Sequence, residues 1–149
     1  MDSGKIHAPI NIFSGEPGLG GALTMPTELS RAKGSIESAY PVVFEGTQFK
    51  DAETAYQAYK TDDERANDEV MADIIAEKFR QHPRLASAVA KRGGAEWLAS
   101  CDHLTGARSD RGQSWEGKGL QSRYIRNLVE GYRRFARGQF RRGAQAALF

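Results

Sequence analysis

Residues 40–60 read YPVVFEGTQFKDAETAYQAYK, and the fold is decided there. Val42, Val43 and Phe44 favour a strand, Glu45-Gly46 is a turn signal, and Thr47-Gln48-Phe49 can pair back across it. Asp51 is placed to cap a following helix, with Glu53 in its first turn, where a carboxylate meets the positive end of the helix dipole. On that helix Ala52, Ala55, Tyr56 and Tyr59 fall at i, i+3, i+4 and i+7, one apolar face for docking on a core. Glu53, Gln57 and Lys60 make a second stripe beside it, at i, i+4 and i+7. A carboxylate, an amide and an ammonium at the edge of a buried face can line a pocket. The same spacing is also the ordinary pattern of a solvated helix surface.

Downstream the pattern is helical. Thr61-Asp62-Asp63 opens a helix that the spacing of Val70, Met71, Ile74, Ile75 and Phe79 carries to about Gln81. Pro83 suits the first turn of the next helix, Leu85, Ala88 and Val89 give its buried side, and Gly93-Gly94 ends it. Residues 95–100 form a helical turn or a short strand with Trp97 and Leu98 buried. A last helix runs from about Gln121 to Ala136, with Tyr124, Ile125, Leu128, Val129 and Tyr132 facing inward. Upstream, Ile10-Asn11-Ile12-Phe13 reads as a strand, residues 22–25 as a short strand or turn, and residues 28–32 as a short helix. The expected architecture is α+β: a single compact, mainly helical domain over residues 1–137 with a small antiparallel sheet, followed by a basic tail over residues 138–149.

A chain of 149 residues with 40% hydrophobic and 27% charged content can bury a core without disulfides or metal. One cysteine, Cys101, permits no internal disulfide, which fits a reducing compartment. No apolar run approaches the roughly 20 residues that span a bilayer, and the first residues lack a signal-peptide core. No membrane association and a cytoplasmic location are expected. The net charge of +2 is unevenly spread: from Lys118 to Arg142 eight basic residues face one acid, Glu130. Such a segment either meets an anionic partner or forms a solvated helix face and tail.

Two glycine-rich loops are candidate ligand elements. Gly15, Gly18, Gly20 and Gly21 allow close approach of backbone to a ligand, and successive N–H groups there can cradle a phosphate. The spacing is neither a P-loop nor a dinucleotide fingerprint, so an ordinary surface loop stands beside that function. The second loop, residues 102–119, combines a charge at Asp110, an aromatic plate at Trp115 and free backbone at Gly117-Lys118-Gly119, a good make-up for a pocket. Trp115 also suits a core anchor, and Asp110 a turn. His7, His82, His103 and Cys101 have no metal-ligand spacing, and no metal or cofactor is expected. No nucleophile elbow is present. Catalysis here would rest on carboxylates, a lysine and aromatics.

The block FEGTQFKDAETAYQAYK resembles the signature of the NADAR family, a glycine turn and an aromatic followed by Glu-x-x-Tyr/Phe-Gln-Ala-x-Lys, here Glu53, Tyr56, Gln57, Ala58 and Lys60. MADIIAEKFRQHPRLASAVAKRG, residues 71–93, is similar to the family's Met-x(6)-Lys-Phe helix pair. Asp110 and Trp115-Glu116-Gly117-Lys118-Gly119 resemble its closing Asp…Trp-Gly-x-Gly loop, and INIFSGEPGLGGALTMP stands where the family has its first strand and turn. The blocks follow in family order over most of the chain. The chain differs by an insertion at residues 26–39, by Leu23-Thr24-Met25 at the first turn, and by a short segment after Lys60 without the usual arginines and tryptophan.

The resemblance implies an α+β domain acting on N-glycosidic bonds. Activities in that family include hydrolysis of early riboflavin-pathway intermediates and removal of ADP-ribose from guanine. It would make Glu53, Lys60 and Asp110 catalytic, with Gln57, Tyr56, Trp115, Gly117, Gly20 and Gly21 binding substrate. The implied partner is a nucleotide or ADP-ribose-type small molecule, or ADP-ribosylated nucleic acid. The alternatives are a non-catalytic module that sequesters such a ligand, and a nucleic-acid-binding accessory protein using the basic C-terminal helix.

Overall fold

A computed structural model of the protein describes residues 6–106 and 115–140. The expected hairpin forms: β1 (Val42–Phe44) pairs antiparallel with β2 (Thr47–Phe49). The turn residues Glu45 and Gly46 have φ of 50° and 83°, the left-handed pair that matches strand twist in a two-residue loop. Asp51 caps α3 (Ala52–Tyr59), its carboxylate accepting from the Thr54 N–H at 2.9 Å and also from the Glu28 N–H at 3.1 Å.

Before the hairpin come two short helices, α1 (Leu19–Ala22) and α2 (Thr27–Ala32). After α3 follow α4 (Glu64–Gln81), α5 (Pro83–Arg92) and α6 (Ala95–Ser100). A second two-stranded ladder joins β3 (Asp102–His103) to β4 (Gly117–Lys118), and a 3₁₀ turn at Gly119–Gln121 leads into α7 (Arg123–Ala136). The fold is thus α+β and mainly helical, with short antiparallel ladders. Residues 95–100 resolve as helix, with Trp97 and Leu98 fully buried. The Trp97 indole donates to the Ala8 carbonyl at 2.9 Å and so ties down the N-terminal segment.

The core lies between α4 and α7, closed by α3, α6 and the hairpin. Met71, Ile74, Ile75 and Phe79 of α4 meet Ile125, Leu128 and Val129 of α7, all buried. Each such side chain contributes about 1.5–3 kcal/mol by leaving water. Gly131 sets how closely the two helices approach: a Cβ there would collide with the Ile75 side chain and stand 3.0 Å from the Ala72 carbonyl.

Two expectations are corrected, and one that stood open is decided. Ile10–Phe13 is not a strand; a single bridge, Asn11 to Asp102, is all that forms. Residues 22–25, read as a short strand or turn, are the end of α1 and the turn after it. The glycine loop is partly helical: Gly20 and Gly21 sit buried in α1, where side chains would run into Glu16 and the Asn11 carbonyl. Their role is close packing of backbone. Of the basic tail, residues 141–149 lie outside the described residues.

Candidate functional site

A cavity of about 830 Å³ opens between the start of α3, the loop before α4, the turn after α1 and the N-terminal end of α7. Glu53, Tyr56, Gln57 and Lys60 of α3 line it, and so does Trp115 from the far end of the sequence. The polar stripe of α3 therefore borders a pocket. Asp110 lies outside the described residues. Gly20, Gly21 and Gly117 are not on the cavity wall. Gly117 instead sits at φ 152° with the Ser122 N–H 3.0 Å from where a Cβ would be, so its role is the tight entry into α7.

Burial raises the Glu53 carboxyl above its ordinary range, and the neighbouring Asp51 charge adds to this; the Gln57 amide, donating to Oε2 at 2.5 Å, and Lys60 pull the other way. Lys60 itself is exposed, at the C-terminal end of α3. Burial also raises the phenol of Tyr56, opposed by the Arg123 charge.

Trp115 is not a free plate. The Arg123 guanidinium lies 4.0 Å from its ring centroid, and Tyr56 meets it edge-on at 6.4 Å. Arg123 is held in turn by Asp68 at 2.7 Å and by the Glu64 carbonyl at 3.2 Å. The Arg123 guanidinium thus covers one ring face. The basic C-terminal helix is likewise partly spent: Arg134 bonds Glu69, Asp73 and Glu130 at 2.7–2.8 Å. Two of the arginines offered to an anionic partner are thus neutralised by acids, mostly on α4.

Several cavity residues carried no functional signal in the sequence. Asn67 clamps the loop before α4 with two bonds of 2.7 Å to the backbone of Thr61. Tyr124, which reads only as an apolar helix position, donates its hydroxyl to the Leu23 carbonyl at 2.5 Å. Burial, then the Glu53 charge, raises that phenol strongly. His103 also lines the wall, its Nδ1 2.6 Å from the Ile12 carbonyl and its ring 5.0 Å from that of Tyr124.

The turn after α1 is the anchor of the wall. Four consecutive carbonyls each take a donor from elsewhere in the fold. Lys78 Nζ donates to Ala22 and Thr24, both at 2.7 Å; Tyr124 donates to Leu23; and the Glu53 N–H donates to Met25 at 3.1 Å. Lys78 is buried, and burial lowers its ammonium from 10.5 to about 7, with the Asp51 charge opposing. The two carbonyls favour the charged form as well. Glu53 and Tyr124 are thereby fixed against the same short piece of backbone.

Among the described residues no group of three His, Cys, Asp or Glu side chains could hold a metal ion, and no helix is long and apolar enough to cross a membrane. No family model matches the chain, and no curated protein or solved structure matches it significantly.

Proposed function

We propose that this protein is an N-glycosidase that hydrolyses the bond between ribose and a base in a ribosylated or ADP-ribosylated base or nucleotide. One observation carries this: a carboxyl raised by burial, Glu53, sits on the wall of a cavity that it shares with an ammonium, Lys60, and an aromatic ring, Trp115. The volume of about 830 Å³ suits a nucleoside- to nucleotide-sized ligand.

Breaking the C1–N bond places positive charge on the ribose and negative charge on the departing base. Glu53, protonated into a higher pH range than usual, gives its proton to the base nitrogen as the bond breaks. The resulting carboxylate then faces the oxocarbenium-like sugar and stabilises it. Lys60, exposed at the mouth, suits an anionic substituent of the substrate. Trp115 stacks on the base through the face that Arg123 does not cover.

Turnover of ADP-ribosylated guanine in DNA and of ribosylaminopyrimidines tests this. Glu53→Gln is expected to lower kcat by about 10²–10⁴-fold, with the wild-type rate falling on the alkaline side as Glu53 loses its proton. Absence of wild-type turnover on every substrate, or full activity in Glu53→Gln, overturns the proposal. A non-catalytic ADP-ribose-binding module is favoured by one observation, that Gln57 already occupies an oxygen of the Glu53 carboxyl. In that case calorimetry finds ADP-ribose affinity that survives Glu53→Gln.

A further inference from the structure

The glycosidase assignment names an acid and leaves the attacking water without a base. His103 is the cavity group suited to that work. Its Nδ1 lies 2.6 Å from the Ile12 carbonyl, and a carbonyl only accepts, so Nδ1 carries the proton. Nε2 then carries the lone pair, and among the described residues it has no hydrogen-bond partner. Ile12 is fully buried on the core side, whereas His103 is on the cavity wall. With Nδ1 bonded to Ile12, Nε2 is the ring nitrogen left to serve the cavity that His103 lines.

The ring is held from several directions. β3 carries it, paired with Gly117 of β4. The next residue, Leu104, exchanges two bonds with the Asn11 side chain, at 2.8 and 2.9 Å. Tyr124 packs against the ring at 5.0 Å, and its own hydroxyl proton is committed to Leu23. Tyr124 also feels the charge of Glu53, which lines the same cavity.

We propose that His103 is the general base of this site: its Nε2 takes a proton from the water that attacks C1 of the ribose. This rests on the glycosidase reading. In the step, the water oxygen bonds to C1, one water proton passes to Nε2, the C1–N bond breaks, and its electron pair goes to the base nitrogen, which takes the proton of Glu53. The imidazolium then returns its proton to the Glu53 carboxylate through solvent. The sum is ribose hydroxyl plus free base from glycoside plus water.

The electrostatics suit the division. Burial lowers the imidazole below its ordinary value, opposed by the Ile12 bond and Glu116, while burial raises Glu53. The two shifts bring the groups toward one another, and each favours the form that the step needs, a neutral imidazole and a protonated carboxyl. The other titratable groups around the ring are Glu116 beside β4 and Tyr124 on α7; on the same cavity wall stand Glu53, Tyr56 and Lys60 from the α3 side, Asp62 and Glu64 from the loop before α4 and its first turn, and Arg123 of α7.

Two measurements decide it. Nitrogen-15 correlation spectra of the wild type should give His103 as the Nδ1–H tautomer at pH 7, and the Nε2–H tautomer would overturn the assignment without any activity being needed. Kinetically, kcat against pH should be bell-shaped, with an acid limb set by His103. His103→Gln, checked for wild-type circular dichroism and Tm, should lose about 10²–10⁴-fold in kcat and lose the acid limb, while the alkaline limb of Glu53 remains. An active wild type whose His103→Gln form keeps both limbs and its rate overturns this proposal alone. A wild type without turnover on any substrate overturns the glycosidase reading and this assignment together.

Discussion

Raising the pH from 7 to 9 is expected to stabilise this protein through one buried lysine. Lys78 has an ammonium lowered by burial from 10.5 to about 7. Between those values the unfolded chain holds a proton that the folded chain has released, so stability rises with pH. The penalty is complete below about 7 and is relieved as pH climbs toward 10.5. The whole difference is worth about 5 kcal/mol, and the part released between pH 7 and 9 is at most ~2 kcal/mol, because the Ala22 and Thr24 carbonyls favour the ammonium. The assay is urea unfolding of the wild type and Lys78→Met at half-unit steps of pH. Met keeps most of the volume and removes the titration. Cys101 and Tyr124, both raised by burial, contribute slopes of opposite sign, but they are present in both proteins and cancel in the difference. The wild-type midpoint should gain up to roughly 1 M urea relative to the variant over this range. If the two stability curves run parallel from pH 7 to 9, Lys78 is not a depressed lysine and the reasoning fails.

Two further substitutions test the packing beneath the site. Gly131→Ala pushes a methyl into Ile75 where α4 and α7 meet, and should cost about 1–3 kcal/mol in chemical denaturation; an unchanged midpoint would mean the helices are not so close. Arg134→Ala removes two ion pairs that tie α7 to Glu69 and Asp73 of α4, and a third to Glu130 within α7. It should cost about 1–2 kcal/mol, less at high salt, since two of the three acids are well exposed. It should leave any affinity for DNA or RNA unchanged; a drop in that affinity with no loss of stability would return Arg134 to the anion-binding role.

The sequence by itself determined the elements whose causes are local. The hairpin follows from β-formers around a Glu-Gly turn, α3 from the Asp51 cap, and α4, α5 and α7 from apolar spacing with Pro and Gly at their ends. These signals act within about one helical turn, so one strand of text suffices to read them. The stripe of Glu53, Gln57 and Lys60 was legible as a pattern, but not which of its two meanings held. That depended on Trp115, Tyr124 and His103, which lie 43–71 positions away along the chain and meet α3 only when α7 packs on α4.

Tertiary structure also decided the roles that residue type left open. Gly20 and Gly21 look like a phosphate loop until Asn11 and Glu16 close over them. Arg123 and Arg134 look like an anion-binding face until acids 55 and 61 residues earlier pair with them. Lys78 looks like an ordinary charge near a helix C-terminus until the turn after α1 arrives above it. In each case the deciding partner is remote in sequence. Charge, hydrogen-bonding and steric contacts act over a few ångströms, so neighbours that only the completed fold supplies decide whether a given side chain is a ligand group, a brace or packing.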